Sequence, residues 1–218
     1  MKTLSPDAAR RVYDRIGRMQ DSQAFYEDRA TDEVVAHSKL ESAHSVFEFG
    51  CGTGRFAESL LERHLPKDAI YRAVDLSPVM VTLSDARLAP FGERASVRLT
   101  DGGPPADEPS EAYDRFFSNF VLDLLSEEEI GRVISEAHRL LRPRGLLGLC
   151  SLTKGFTVVS RAFIWVWTRV RSFRPDLVGG CRPIEILAFL PTGRWLVRHH
   201  VRVATWGVPL DALVAERL

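Results

Sequence analysis

The sequence predicts an α/β protein: a largely parallel β-sheet with helices on both faces. Three observations predict it. Short runs rich in β-branched and aromatic residues alternate with segments whose apolar residues recur every three to four positions. The run at 146–152 (LLGLCSL) is nearly all apolar, as a strand covered on both faces must be. A glycine-rich corner at 50–54 joins a strand-like run directly to a helical one, the junction of a β-α-β unit.

Taken in order, the elements read as follows. Ser5 caps a first helix with Pro6 at its first position, and Ala9, Val12, Tyr13, Ile16 and Met19 form its apolar stripe. A second helix is expected over 22–40, carrying Phe25, Tyr26, Val34 and Val35. Strands are expected at Ser45–Phe49, 69–74, 96–99 and 113–118, with helices at 55–64 and 77–88 between the first three and a Gly-, Pro- and acid-rich loop over 100–112. Ser126 and Glu129 form a capping box that opens a helix with Ile130, Val133, Ile134, Ala137 and Leu141 on one face. The segment Arg142-Pro143-Arg144-Gly145 stops it before the fifth strand at 146–152. An Arg- and Trp-bearing helix follows over Val158–Phe173, then a loop at 177–183, a short helix from Pro183, and strand-like runs at Trp195–Thr205 and 210–216. The chain reads as one domain over 1–218: a helical cap (1–43), a core (44–152), and post-core helices and strands (153–218).

Composition narrows the function. Lys+Arg and Asp+Glu both total 29, so no basic field favours nucleic acid. Cys51, Cys150 and Cys181 are too few and too scattered for a disulfide framework, and the six histidines show no metal-ligand spacing, so no metal is expected. His199 and His200 fall in a strand and face opposite ways, one half-buried and one wet. Cys181 is either a reactive thiol or a small residue in a tight loop. The N-terminus lacks an apolar signal core, and the most apolar stretch, 162–167, is far short of the roughly 20 residues of a membrane span. A soluble, cytoplasmic protein is expected, with peripheral membrane contact left open.

The chemistry lies in the corner. Gly50, Gly52 and Gly54 alternate where the backbone must turn and approach a ligand, and Arg55 stands where a dinucleotide-binding G-x-G-x-x-G has no such spacing. Glu48 completes E-x-G-x-G-x-G. Asp75 ends the second strand 21 residues beyond Gly54, where a carboxylate accepts hydrogen bonds from both ribose hydroxyls. Each feature has a plainer reading, the glycines as a tight turn and Asp75 as a helix N-cap. Strand, glycine loop, helix, strand and terminal acid in register favour the ligand site.

This pattern resembles motif I of the class I S-adenosylmethionine (SAM)-dependent methyltransferases, and over 45–152 the likeness continues. Asp101-Gly102 resembles the family's adenine-contacting acid. Tyr113-Asp114 through Asn119 resembles its fourth strand, whose end faces the transferred methyl. His138 to Gly145 resembles its R-x-L-x-P-G-G corner, with Arg144 for the first glycine. The nearest likeness is to the UbiE-like (type 11) group, including Tyr13-Asp14. The resemblance implies a three-layer Rossmann-like fold with sheet order 3-2-1-4-5-7-6 and an antiparallel last strand. It implies SAM as cofactor, S-adenosylhomocysteine (SAH) as product, and Glu48, Gly50, Cys51, Gly52, Thr53, Gly54, Asp75, Leu76, Met80, Asp101, Gly102 and Asn119 as the binding residues.

SAM is already an activated donor, so the expected reaction is in-line methyl transfer to a small, apolar or aromatic acceptor, driven by positioning and exclusion of water. Asn119 and Asp123 are the nearest catalytic candidates, although Asp123 also reads as a solvent-facing helix acid and Asn119 as a hydrogen-bonding group. Tyr13 and Tyr26 lie on helices that in this family cover the cofactor; both also read as plain core. On the helix Val158–Phe173, the stripe Val159, Phe163, Val166, Val170 and Phe173 suffices for packing. That leaves Ile164 and Trp165 among arginines to line a pocket, pack, or touch lipid headgroups. The alternative function is a SAM-binding partner protein without its own catalysis. A nicotinamide oxidoreductase is disfavoured by the glycine spacing, and nucleic-acid methylation by Ser118-Asn119-Phe120-Val121 in place of a base-holding Asn-Pro-Pro-Tyr.

Overall fold

The computed structural model describes residues 3–104, 106–174 and 178–218, leaving the first residue of the expected 177–183 loop outside. Seven strands form one sheet in the order β3-β2-β1-β4-β5-β7-β6: β1 (Ser45–Phe49), β2 (Ile70–Asp75), β3 (Ala95–Leu99), β4 (Tyr113–Asn119), β5 (Leu141–Leu152), β6 (Trp195–Thr205) and β7 (Val208–Arg217). The first five run parallel, and β7 is antiparallel to both β5 and β6. The parallel strands bury both faces, which is why β1 carries no polar alternation and all five of its residues are buried.

Helices cover each face. On one, α2 (Ala24–His37) and α3 (Arg55–Arg63) set Ala30, Val34, Leu60 and Leu61 against Val46, Tyr71 and Phe117. On the other, α5 (Glu127–Leu140) sets Ile130, Val133, Ile134, Ala137 and Leu140 against Phe47, Phe116 and Leu147. The remaining helices are α1 (Pro6–Ile16), α4 (Pro78–Leu88) and α6 (Val158–Phe173). Local chemistry fixes their starts. Ser5 and Ser77 cap α1 and α4 ahead of a proline, and Ser126 and Glu129 close the capping box of α5. Thr157 and Ser160 close another on α6, with a serine where the pattern has Glu or Gln.

The structure differs from the expectations at several places. The expected 22–40 helix starts at Ala24, because Gly17 (φ 48°) ends α1 and a 3-10 segment, Gly17–Gln23, bends the chain onto the sheet. No helix starts at Pro183; the Ile184 N–H donates to the Leu152 carbonyl, and a 3-10 turn begins at Ile186. The 142–145 corner lies within the bounds of β5, with a register shift opposite Tyr113 and Arg115 and Arg144 at φ 66° where glycine would sit unstrained. On α6 the inward face is Ser160, Phe163, Ile164, Trp167 and Arg171, whereas Val159, Val166 and Phe173 of the expected stripe are exposed. His199 and His200 are both half-buried: His199 meets Glu33 (3.0 Å) and stacks on His37, and His200 meets Asp211 (2.6 Å). The group Glu33, His37 and His199 is assembled by α2 and β6 across a separation that spacing rules do not see. Its two rings lie parallel at 3.5 Å, so their in-plane lone pairs do not converge on one point.

Candidate functional site

The corner after β1 is built from left-handed glycines. Gly50, Gly52 and Gly54 adopt φ of 79°, 53° and 78°. A Cβ on Gly50 would stand 2.3 Å from Val121 Cγ2, and one on Gly54 would stand 2.4 Å from Ser84 Oγ. Around the Cβ position of Gly52 nothing lies within 4 Å, so this glycine faces open space. The Gly50 and Cys51 N–H groups donate to the Val74 carbonyl (2.8 and 3.2 Å) and pull the loop over the end of β2.

Asp75 sits at that end. Its carboxylate accepts from the Gly52 N–H (2.8 Å) and the Ser77 N–H (2.9 Å), so the acid and the glycine loop fix each other. Burial pushes its pKa up, against the pull of these backbone donors. The N-cap of α4 is Ser77, whose Oγ accepts from Met80 N–H and donates to Asp14 (2.5 Å). Burial pushes the Glu48 carboxyl up to about 8, the Tyr71 hydroxyl donating to it at 2.9 Å notwithstanding. Thr53 donates to Asp21 at 2.5 Å, and Arg87 grips both residues (2.9 Å to Thr53, 2.6 Å to Asp21). The Arg87 and Thr53 hydrogen bonds outweigh burial and hold the Asp21 carboxyl below its usual range.

Three cavities meet here. The first, about 110 Å³, lies between Asp75, Leu76 and Gly102 and the cap residues Pro6, Ala9 and Tyr13. The second, about 250 Å³, runs along the other side of the glycine loop past Glu48, Cys51 and Thr53 to Asp21, Glu27 and Asp28. Asn119 lines both, with both amide atoms buried and unpartnered. The third, about 230 Å³, is walled by Tyr13, Tyr26, Phe120, Phe163 and Trp167, and holds Glu27 and Asp123.

Several expected site residues stand apart from these spaces. Met80 is wholly buried and lines none of the three cavities, and Gly54 packs on Ser84. Asp101 is exposed and accepts from Gly103 N–H (3.2 Å) in its own loop. Trp165 is 64% exposed on the outer face of α6, 5.5 Å from the Arg169 guanidinium; Phe163 and Trp167 are the residues of α6 that reach the third cavity. Asp123 is not solvent-facing. It lies in a 3-10 turn at 1% exposure, with one oxygen accepting from Leu152 N–H (3.1 Å) and Oδ1 unpartnered, and burial pushes it up to about 6. Sequence reasoning missed Gln20, Asp21 and Glu27. Glu27 left a signal: it shares a helical face with Ala30 and Val34, an acid on an apolar stripe. Gln20 and Asp21 left none, since the 3-10 segment carrying them has no α-helical period.

Residues 46–145 match the family model of a methyltransferase domain. The matched stretch holds the glycine corner, Asp75 and Asn119. Over these residues the chain is similar to the SAM-dependent methyltransferases. SAM is the cofactor that this likeness supports. The chain is 32% identical over 105 residues to a malonyl-[acyl-carrier protein] O-methyltransferase of Paenibacillus sp. (strain JDR-2), a match covering 47% of the chain and 36% of that relative. Against a second protein of that name, from Ilyobacter polytropus, the match covers 40% of the relative, so the chain spans well under half the length of these proteins. Among solved structures the methyltransferase fold is shared with the [4+2]-cyclase SpnF (TM-score 0.75, 17% identity, 100% of this chain and 97% of that one). It is also shared with geranyl diphosphate methyltransferase (TM-score 0.66, 12% identity, 88% and 77%).

Proposed function

We propose that the protein transfers the methyl group of SAM to a small acceptor with an apolar or aromatic body. The observation that carries this reading is the third cavity, which shares Tyr13, Gln20 and Phe120 with the cavities of the glycine corner. The corner suits SAM: Gly52 leaves room beside the backbone, the Asp75 carboxylate is oriented for a ribose, and Asn119 presents an amide whose donors and acceptor await partners. Leu76 and Gly102 flank the nucleoside side, and Glu48, Cys51 and Thr53 the side of the amino-acid portion. Bound there, SAM supplies an activated methyl on a sulfonium. Tyr13 and Tyr26 close the space from the cap and keep water out; Asn119 orients the reacting groups; Asp123 Oδ1 takes a proton from the acceptor. The third cavity, which adjoins the corner through Tyr13, Gln20 and Phe120, favours an enzyme over a SAM-binding partner without catalysis. The malonyl-carrier chemistry named for the two relatives is disfavoured, because Glu27 and Asp123 would repel a carboxylate acceptor.

The test uses SAM labelled on the methyl carbon and a panel of phenols, amines and carboxylic acids. Asp123→Asn is expected to slow transfer about 10²- to 10⁴-fold while SAM affinity stays within about twofold. An equal loss of SAM affinity would remove Asp123 from the acceptor side.

A further inference from the structure

The third cavity pairs two features that conflict unless something fills it. Its walls are aromatic and apolar, from Tyr13, Tyr26, Phe163 and Trp167, yet it holds two carboxyl groups at 8% and 1% exposure, Glu27 and Asp123. Buried acids need a counter-charge or hydrogen-bond donors. Each has a hydrogen-bond donor, the Tyr26 hydroxyl on Glu27 and the Leu152 N–H on Asp123, and the Arg55 and Arg182 charges that act on them are themselves bound to Asp28 at 2.7 Å and to the Leu125 carbonyl at 3.1 and 2.6 Å. Burial raises both acids, Glu27 to about 7 and Asp123 to about 6, and the Asp123 charge adds to the rise at Glu27. A neutral apolar occupant would leave this cost in place. A cationic one removes it, and the aromatic rings add cation–π attraction.

We propose that the acceptor is a protonated amine with an apolar body, its nitrogen held between Glu27 and Asp123 and its body against Phe163 and Trp167. This rests on the methyltransferase reading of the same site. The ammonium gives one proton to Asp123 Oδ1, leaving a neutral amine and a carboxylic acid. The nitrogen lone pair then forms the N–C bond as the S–C bond of the sulfonium breaks. The products are a methylated ammonium, SAH and protonated Asp123, so charge and hydrogens balance.

The test is calorimetry on the full chain saturated with SAH, at about pH 8, with benzyltrimethylammonium and its uncharged isostere neopentylbenzene as probes. The cation is expected to bind at least about tenfold tighter than the isostere. Asp123→Asn and Glu27→Gln should each weaken the cation severalfold, leaving the isostere and SAH unchanged. Equal binding of the two probes overturns the proposal, and so does a variant that loses SAH affinity but not the cation. The probe comparison on the wild-type chain needs no variant to fold. Should SAH fail to bind, the donor reading falls, and the same comparison on the free protein still decides whether the acids select a cation.

Discussion

The donor corner and the cap that faces it are built in opposite ways. The corner, from β1 to the end of β2, is held by the backbone: three left-handed glycines, two amides on the Val74 carbonyl and two on Asp75. The cap is held by side chains, with Asp14 on Ser77, Asp21 on Thr53 and Arg87, and Asp28 on Arg55. A backbone-built site has fixed geometry and suits a ligand that never changes. A lid latched by acids can open, and its inner residues can differ with the acceptor without disturbing the corner.

The contrast breaks most visibly at the glycines. Gly52→Ala should abolish SAH binding in calorimetry with a modest stability loss, about 1–2 kcal/mol for a left-handed alanine, because its methyl group enters open space. Gly50→Ala carries the same conformational cost plus a collision with Val121, so its Tm should fall further, each kcal/mol costing roughly 2–4 °C in a chain of this size. Equal Tm losses for the two would show that the loop is not differentiated in this way.

A smaller effect sharpens the electrostatic side. Glu48 and Glu27 have folded-state pKa values of about 8 and about 7, above the ordinary 4.5. Between the ordinary and the raised values the folded chain binds more protons than the unfolded one, so stability present below about pH 4.5 is lost as pH rises through about 7 to 8. Glu48→Gln keeps an acceptor for the Tyr71 hydroxyl. In thermal scans without ligand, its Tm relative to wild type should rise steadily from about pH 4 to about pH 9; parallel curves would mean that Glu48 is not held protonated.

The least effect is expected at the latch. Asp21→Asn weakens the contacts to Thr53 and Arg87 without touching the corner's backbone. SAH affinity should fall by about 1–2 kcal/mol, and the fold should survive. A complete loss of binding would make the latch part of the corner.

Much of the corner is legible in the sequence because its determinants are local. Glycine spacing, a strand-terminal acid and serine caps are read within a few residues of one another, and the sheet order follows from the family likeness that those residues carry. The third cavity is legible only in part. Tyr13, Tyr26 and Asp123 stand out, but Glu27 is recognisable only once its helix face is known, and Asp123 reads as exposed because nothing local tells of the Leu152 amide that reaches it. On α6 the most apolar stripe misleads: Ser160 and Arg171 turn inward, Arg171 donating to the Gly180 carbonyl, while valines at 158, 159 and 166 face outward. Tertiary pairing across distant positions, as in His199 with Glu33, leaves no periodic trace.

The central claim is that Asp75 and the glycine corner together grip the donor. Isothermal calorimetry of SAM against wild type and Asp75→Ala tests it directly. One site per chain is expected for the wild type, and a loss of about 2–5 kcal/mol in the variant, from one or two charge-assisted hydrogen bonds and the loosened Gly52 amide. Undiminished affinity in Asp75→Ala would contradict it.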